Sequence, residues 1–271
     1  MKSFCISISE IAIITGDNTF KPKREYLIDF WKKNSKEDYE NYKKITEFVK
    51  ETDDDIIKKI SNKNNIDISI DIAQCIKSGN TNDLNFLKKN IINKMDKLSE
   101  TDKNNITKAI TNVTNTKFGI RNEHDISNLY EAITGSKIIK DNKFTKKTIV
   151  EYNNVNIMIG GKIDGFNSEN NTLIEIKNRM HKLFFTLREY EKIQIMSYLH
   201  LFGLEKGHLV EAHKKKDQTD INIIEVLYDT EYMNNIISKI IDFINFYLKF
   251  IIDHEFKINL LKNNNEINFC V

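Results

Sequence analysis

The sequence predicts an α/β or α+β protein, and the order of its patterns along 271 residues indicates this class. Helical patterns fill the first half of the chain, and strand patterns follow between about 147 and 177. One helix, at about 187–202, then separates these strands from two more. Helices, a strand meander, a crossover helix and further strands are typical of one α/β or α+β domain, which we expect to span 1–271.

The chain is predicted to begin with two helices. Residues 7–15 form the first, with Ser7 or Ser9 as N-cap and Gly16 at its end. Residues 24–33 form a short amphipathic helix with one aromatic and aliphatic face.

A polar region follows at about 35–115, rich in Lys, Asn and Asp, with weak helical periodicity and almost no strand signal. We expect a helical insertion with a solvated face, and a DNA-contacting helical arm is the alternative. The next helix, 120–134, ends at Gly135, and its apolar face repeats at helical spacing. The residues of that face are Ile126, Leu129, Tyr130 and Ile133.

Strands and a long helix are predicted for the second half. The strand candidates are 147–152, 155–163, 172–177, 207–213 and 221–228, and a strongly apolar helix covers about 230–252.

Composition excludes several kinds of protein. The net charge of +2 leaves no global basic field, although a local basic groove is compatible with it. Cys5, Cys75 and Cys270 are far apart and no CxxC occurs, so neither a disulfide framework nor a cysteine-held metal is expected. No apolar run approaches a membrane span, and the start lacks a signal-peptide pattern. We expect a soluble, intracellular, cytoplasmic protein with no membrane partner.

Three charged residues interrupt apolar strands, where ionised groups are costly to bury. Asp164 breaks "IMIGGKIDGF", and Glu175 and Lys177 break "TLIEIKN". Strand side chains alternate, so Glu175 and Lys177 share one face. Ten residues, 165–174, join Asp164 to Glu175 with a turn-like "NSENN", which is a hairpin-length connection. The two carboxylates can therefore meet across adjacent strands, in the pattern D-x10-E-x-K.

This trio suits hydrolysis of a phosphodiester with a metal ion. Two close carboxylates favour a hard cation such as Mg²⁺ or Mn²⁺. A lysine on the same face can hold an attacking water and offset the charge that builds on phosphorus. The alternative is a cross-strand salt bridge on a solvated face. The flanking isoleucines and Gly160–Gly161, which leave room for backbone approach, favour the site.

Two helices offer further candidates. Glu123 lies three residues before Ile126, near the buried face of its helix, where it could complete a metal shell. Its alternative role is to stabilise the helix dipole. Tyr190, Gln194 and Tyr198 stack at i, i+4 and i+8, so Gln194 could hydrogen-bond a phosphate or a base. An ordinary amphipathic helix is the alternative.

Four blocks, taken in order, resemble the PD-(D/E)XK nuclease superfamily, and within it the lambda-exonuclease-type viral recombinases (the YqaJ-like group). "SEIAIITG" resembles the first-helix motif of that group, and "GIRNEHDISNLYEAITG" resembles its glutamate-bearing helix. "GGKIDG" with "IEIKNR" resembles the catalytic core, and "QIMSYLHLFG" resembles the glutamine helix. The resemblance implies a restriction-endonuclease-like core, with a central mixed β-sheet flanked by helices.

The resemblance also implies roles for individual residues. Asp164, Glu175, the Ile176 carbonyl and Glu123 would bind divalent metal, and Lys177 would position the water. Gln194 would be a further catalytic residue. Residues expected to contact nucleic acid are Ser9, Gln194, Tyr198 and, more loosely, Arg24, Lys21 and Lys23. The chain departs from the pattern at Met196, which replaces a second glutamine.

The implied function is a Mg²⁺- or Mn²⁺-dependent DNA exonuclease that acts at duplex ends by a two-metal mechanism, in recombination or repair. A phage or large DNA virus would suit the resemblance, which would place the enzyme in a host cytoplasm or nucleus. Partners would be DNA with a free end, a single-strand annealing protein and other copies of the chain. The alternatives are an endonuclease acting on DNA or RNA, and a non-catalytic nucleic-acid-binding protein.

Overall fold

A computed structural model describes residues 2–269, apart from 19, 66, 79–80, 95–97, 122, 141–142, 215–217 and 264. The strands are β1 (Lys2–Ser7), β2 (Thr145–Tyr152), β3 (Val155–Gly161), β4 (Gly165–Asn167), β5 (Thr172–Arg179), β6 (Lys206–Lys214) and β7 (Thr219–Leu227). The helices before β2 are α1 (Ile11–Thr15), α2 (Lys23–Asn34), α3 (Lys36–Thr46), α4 (Asp53–Asn64), α5 (Ser69–Ser78), α6 (Thr81–Lys94), α7 (Glu100–Arg121) and α8 (Glu123–Thr134). The later helices are α9 (Glu189–Phe202), α10 (Thr230–Phe250) and α11 (His254–Lys262).

The strands form two mixed sheets. One has the order β1-β3-β2, with β1 parallel and β2 antiparallel to β3. The other has the order β4-β5-β6-β7, in which only β5 and β6 are parallel. The predicted mixed α/β class, with helices flanking the strands, is confirmed. The expected central sheet is divided where the chain leaves β3 and enters β4, and Asp164 lies in that connection.

The start of the chain differs from the prediction. Residues 2–7 are a strand, Ile8–Glu10 form one 3₁₀ turn, and the α-helix begins only at Ile11. Phe4 and Ile6 are buried beside β3, and this parallel pairing outweighs the local helical pattern. Gly16 ends the helix with φ of 88°, in the left-handed region where glycine carries no Cβ penalty.

The main core lies between the strands and helices α1, α2, α9 and α10. Aromatic rings from distant segments meet there edge to face; the Phe30 and Tyr247 ring centroids, for example, are 4.8 Å apart. Arrangements of this kind add about 0.5–1.5 kcal/mol per pair beyond the area they bury. This core provides the rigid support for β3 and α9, which carry part of the site.

The regular elements that the structure describes between 35 and 115 are all helices, α3 to α7, joined by short non-helical segments such as 47–52. Tyr39 of α3 joins the main core. Helices α4 to α7 instead share a core of their own, whose members include Ile60, Ile91, Ile106 and Ile110. In the described residues no helix is long and apolar enough to cross a membrane. Cys5 is free, and the side chains of Cys75 and Cys270 lie outside the described part.

Helix α8 covers one face of the second sheet. The prediction of which residues form its buried face is partly wrong. Ile126 and Tyr130 pack against Ile174 and Ile176 of β5. Ile133 is 54% exposed and is not part of the core that Ile126 and Tyr130 form with the sheet. Gly135 ends the helix with φ of 70°, as its position predicts. The final apolar helix is present as α10, and α11 was not predicted.

Candidate active site

The β4–β5 hairpin brings Asp164 and Glu175 together. Gly165 pairs with Ile174, so continuing the antiparallel register by one residue sets Asp164 opposite Glu175. Asn171 allows the tight connection with φ of 53°, in the left-handed region that Asn tolerates. Asp164 Oδ2 accepts a hydrogen bond of 2.7 Å from the Ile176 backbone N–H. The predicted meeting of the two acidic segments is therefore present.

Glu175 and Lys177 share one face of β5, as the strand alternation predicts. This face lies toward α9, while Ile174 and Ile176 face α8. Lys177 Nζ donates to Glu175 Oε1 at 2.7 Å and to Gln194 Oε1 at 3.1 Å. Gln194 Nε2 donates to the same Glu175 oxygen at 2.8 Å. Each of the three side chains thus contacts the other two. Since Glu175 is 3% exposed, this is not a salt bridge on a solvated face.

Burial dominates the electrostatics of the two acids. Burial raises the pKa of Glu175 to about 7, with a further contribution from Asp164, although Lys177 works in the opposite direction. Burial also raises the pKa of Asp164, against the effect of the Ile176 N–H. Burial works to lower the pKa of Lys177, but the Glu175 carboxylate outweighs this effect and the pKa is raised. When both acids are ionised, the two negative charges of Asp164 and Glu175 exceed the single positive charge of Lys177.

The oxygen atoms at this point suit a divalent cation. Glu175 Oε2 is buried and has no hydrogen-bond partner among the described residues, which is costly for a carboxylate oxygen unless a cation approaches it. In a strand the N–H and C=O of one residue point toward the same neighbour. The Ile176 carbonyl therefore points toward Asp164, beyond the residues of β5 that pair with β4. Carboxylate and carbonyl oxygens are the ligands that Mg²⁺ and Mn²⁺ prefer.

Glu123 lies at the start of α8, half-buried, and within electrostatic reach of this pair. Burial raises its pKa, and the charges of Lys140, Glu175 and Lys177 act on it as well. Within the described part of the chain, no three His, Cys, Asp or Glu side chains form a cluster that could hold a metal. Glu123 therefore lies near the two acids, but the three carboxylates do not form such a cluster.

Tyr198 and Gly161 meet beside the site. Tyr198 is 4% exposed, and a Cβ added to Gly161 would lie 2.7 Å from its Cε1 atom. A phenylalanine ring, that of Phe144, takes the corresponding place beside Gly160. The room predicted at the glycine pair is thus filled by aromatic rings of the protein itself. The burial of Tyr198 gives it a packing role.

Two other predicted residues have different surroundings. Ser9 is exposed in the 3₁₀ turn after β1, and Ser7 pairs with Gly160, so Ser9 lies at the end of β3 that leads to Asp164. Arg24 donates to the Leu260 carbonyl at 2.9 Å, and its guanidinium holds the last turn of α11. Arg24 thus has a structural partner, whereas Ser9 is exposed toward solvent.

A buried ion cluster continues the site along β5, and the sequence reasoning missed it. Arg179 donates to Glu191 at 2.7 Å and to Glu211 at 3.0 Å, and both acids are fully buried. Arg179 lies two residues after Lys177, so the strand alternation that placed Lys177 could also have placed Arg179. Lys140 was missed too; it acts on the pKa of Glu123 and Asp164, and its position carries no sequence signal.

Comparison with known proteins finds similarity only among solved structures, since no family model and no curated protein matches the chain. An alkaline exonuclease (LHK-Exo) from Laribacter hongkongensis is 15% identical at a TM-score of 0.40, over 57% of this chain and 84% of that one. A phage-related exonuclease from Haemophilus somnus 129PT is 14% identical at a TM-score of 0.36, over 46% and 67%. The protein SSO0001 is 18% identical at 0.39, over 59% and 76%. The first two of these proteins are exonucleases.

Raising the pH is expected to destabilise the metal-free protein through Glu175. Because its pKa of about 7 exceeds its ordinary value of 4.5, the folded state keeps a proton that the unfolded state releases. Stability therefore falls as pH rises between these two values, and the loss is complete above the higher one. Urea denaturation in EDTA should show wild type losing stability relative to Glu175→Gln across this window. A difference that does not change with pH would contradict the assignment.

Proposed function

We propose that this protein is a divalent-metal-dependent nuclease that hydrolyses phosphodiester bonds at the ends of duplex DNA. The observation that carries the proposal is the buried Glu175 carboxylate, which lies opposite Asp164 and contacts Lys177. One of its oxygens has no partner in the part of the chain that the structure describes. A purely structural ion pair gains nothing from a second acid or from an unpaired buried oxygen. In a site that binds a metal cation and then a phosphate, the second acid and the unpaired oxygen would both serve as metal ligands.

The proposed metal ligands are Asp164, Glu175 and the Ile176 carbonyl, with Glu123 as the acid supplied by α8. Mg²⁺ or Mn²⁺ bound there would polarise a phosphoryl oxygen and lower the pKa of a coordinated water. A two-metal arrangement is part of the proposal.

Lys177 is proposed to hold the attacking water. An ammonium group has three N–H donors, and two are directed to Glu175 and Gln194. The third is available for a water molecule or for a phosphate oxygen on which charge develops. Gln194 fixes the lysine through its carbonyl oxygen and fixes Glu175 through its amide N–H. The role of Gln194 in this scheme is to keep the other two side chains aligned.

The preference for DNA ends, the role in recombination or repair, and the viral setting rest on the order of the sequence motifs. The proposed partners, a single-strand annealing protein and further copies of the chain, have the same support. Ser9, which is exposed where β1 and β3 end, is proposed to contact the substrate.

The proposal is tested by incubating end-labelled linear duplex DNA with the protein in Mg²⁺, in Mn²⁺ and in EDTA. Release of short labelled products in either metal, and none in EDTA, is expected. Intact DNA in both metals would refute the proposal.

Glu175→Ala is expected to abolish metal-dependent thermal stabilisation. A ligand at about a hundred times its Kd stabilises the folded state by about 2.7 kcal/mol, so wild type should melt several degrees higher in Mg²⁺ or Mn²⁺ than in EDTA. Glu151→Ala, an exposed glutamate in β2, is the matched control and should keep the shift. An unchanged shift in Glu175→Ala would remove this carboxylate from the metal site.

A further inference from the structure

The loop between β5 and α9, residues 180–188, presents an aromatic ring to solvent in a strained conformation. Phe185 is 68% exposed, and its φ of 57° lies in the left-handed region. That region is unfavourable for a residue with a Cβ and a bulky side chain. An exposed phenylalanine in this conformation gains no free energy from hydrophobic burial, and its backbone conformation is unfavourable. Contacts with the surrounding structure must therefore hold it there.

A buried carboxylate imposes it. Glu211 is fully buried and accepts hydrogen bonds from the backbone N–H groups of Phe184, at 3.1 Å, and Phe185, at 2.7 Å. The same carboxylate accepts from Asn222 at 2.9 Å and from Arg179 at 3.0 Å. Arg179 and Asn222 hold the Glu211 carboxylate in place, and the carboxylate in turn holds the two N–H groups of the loop. The ring of Phe185 is exposed to solvent.

The loop is attached to the elements that hold the candidate active site. Arg179 follows Lys177 by two residues on the same face of β5, a distance of about 7 Å along the strand. Glu191, its partner at 2.7 Å, precedes Gln194 by one turn of α9. The Phe184 ring lies 4.4 Å from the Arg179 guanidinium. Phe185 is therefore linked through Glu211 and Arg179 to β5 and α9, the elements that carry the catalytic groups proposed above.

The loop is also basic. No Asp or Glu occurs between 176 and 188, and the loop contains His181, Lys182 and Arg188. The side chains of His181 and Lys182 are exposed, and Arg188 is half-buried with its guanidinium 3.3 Å from the centre of the Phe184 ring. Lys182 and Arg188 are each three residues from Phe185 in the sequence. Cationic groups close to an exposed aromatic ring are the combination that single-stranded nucleic acid binds: phosphates pair with the charges and a base stacks on the ring.

We propose that Phe185 is a stacking platform for an unpaired base of the strand that enters the candidate active site, and that Lys182 and Arg188 contact its phosphates. The proposal rests on the nuclease function inferred above and specifies its substrate as a strand separated from its complement near the site. Stacking accepts any base, so the platform would be tolerant of sequence.

The test measures binding without cleavage. A fluorescent single-stranded oligonucleotide is titrated in EDTA with wild type, Phe185→Ala and Phe86→Ala. Phe86, on α6, is 67% exposed and is the matched control. About tenfold weaker binding is expected for Phe185→Ala, with no change for Phe86→Ala. An oligonucleotide containing 2-aminopurine should show quenching with wild type that Phe185→Ala lacks.

A second variant separates binding from folding. Phe185→Gly relieves the positive φ, so its melting temperature should equal or exceed that of wild type while its binding is weakened like that of Phe185→Ala. Equal binding by wild type and both variants would overturn the platform, whether the ring serves a protein partner or nothing. Because no metal or cleavage enters this assay, failure of the platform is distinct from failure of the nuclease function, which the cleavage assay reports.

Discussion

Replacing Lys177 by alanine is expected to lower the rate of metal-dependent DNA cleavage by about 10²–10³-fold while DNA binding is retained. The variant removes the only ammonium group in contact with the buried Glu175 carboxylate among the described residues, and with it the proposed donor to the attacking water. The acids and the Ile176 carbonyl remain, so the metal can still bind. Single-turnover cleavage of labelled duplex, together with the Kd for the same DNA in EDTA, measures both quantities.

Lys146→Ala is the matched control, since Lys146 is an exposed lysine in β2. It should cleave at the wild-type rate. Undiminished cleavage by Lys177→Ala would refute the role of the lysine. Equal loss of cleavage and of DNA binding would instead indicate that Lys177 serves substrate binding.

Replacing Arg179 by methionine is expected to lower the free energy of unfolding by about 3–5 kcal/mol. The arginine lies between Glu191 and Glu211, and both carboxylates are fully buried. Without it, two acids would remain close together with their neutralising charge removed. Loss of the arginine also removes one of the four donors that hold Glu211. Urea denaturation followed by circular dichroism gives the free energy directly.

The control is Lys59→Met, which breaks an ion pair with Glu51 whose side chains are 69% and 41% exposed. Solvent screens such a pair, so a change below about 1 kcal/mol is expected. If Arg179→Met were as mild as Lys59→Met, the buried cluster would not stabilise the fold, and the rigidity of the 180–188 loop would need another cause.

The hairpin that carries Asp164, Glu175 and Lys177 was predictable because it depends on local rules. Strand alternation assigns Glu175 and Lys177 to one face, and the length of the connection brings Asp164 opposite them. Its helix face made Gln194 a candidate from sequence, and the structure places it in contact with Glu175 and Lys177. Its bidentate bridge between Glu175 and Lys177 was not predictable, because it depends on how closely α9 packs against β5.

Features that depend on distant segments were beyond sequence reasoning. Residues 2–6 have no predicted element, and Lys2–Ser7 form a strand by pairing with β3, some 150 residues away. The buried Glu191 and Glu211 look like surface acids in sequence, and only Arg179 between them explains their burial. Ile133 fits the apolar repeat of α8, yet it is 54% exposed, and sequence spacing does not show which turns of a helix meet a neighbouring element.

The most direct test of the proposed function compares linear duplex DNA with closed circular DNA of the same sequence, in Mg²⁺ or Mn²⁺. An enzyme that acts at duplex ends should degrade the linear molecule and leave the circle intact, and EDTA should stop the reaction. Nicking or linearisation of the circle would contradict the requirement for an end and identify an endonuclease. Survival of both molecules would contradict DNA cleavage altogether.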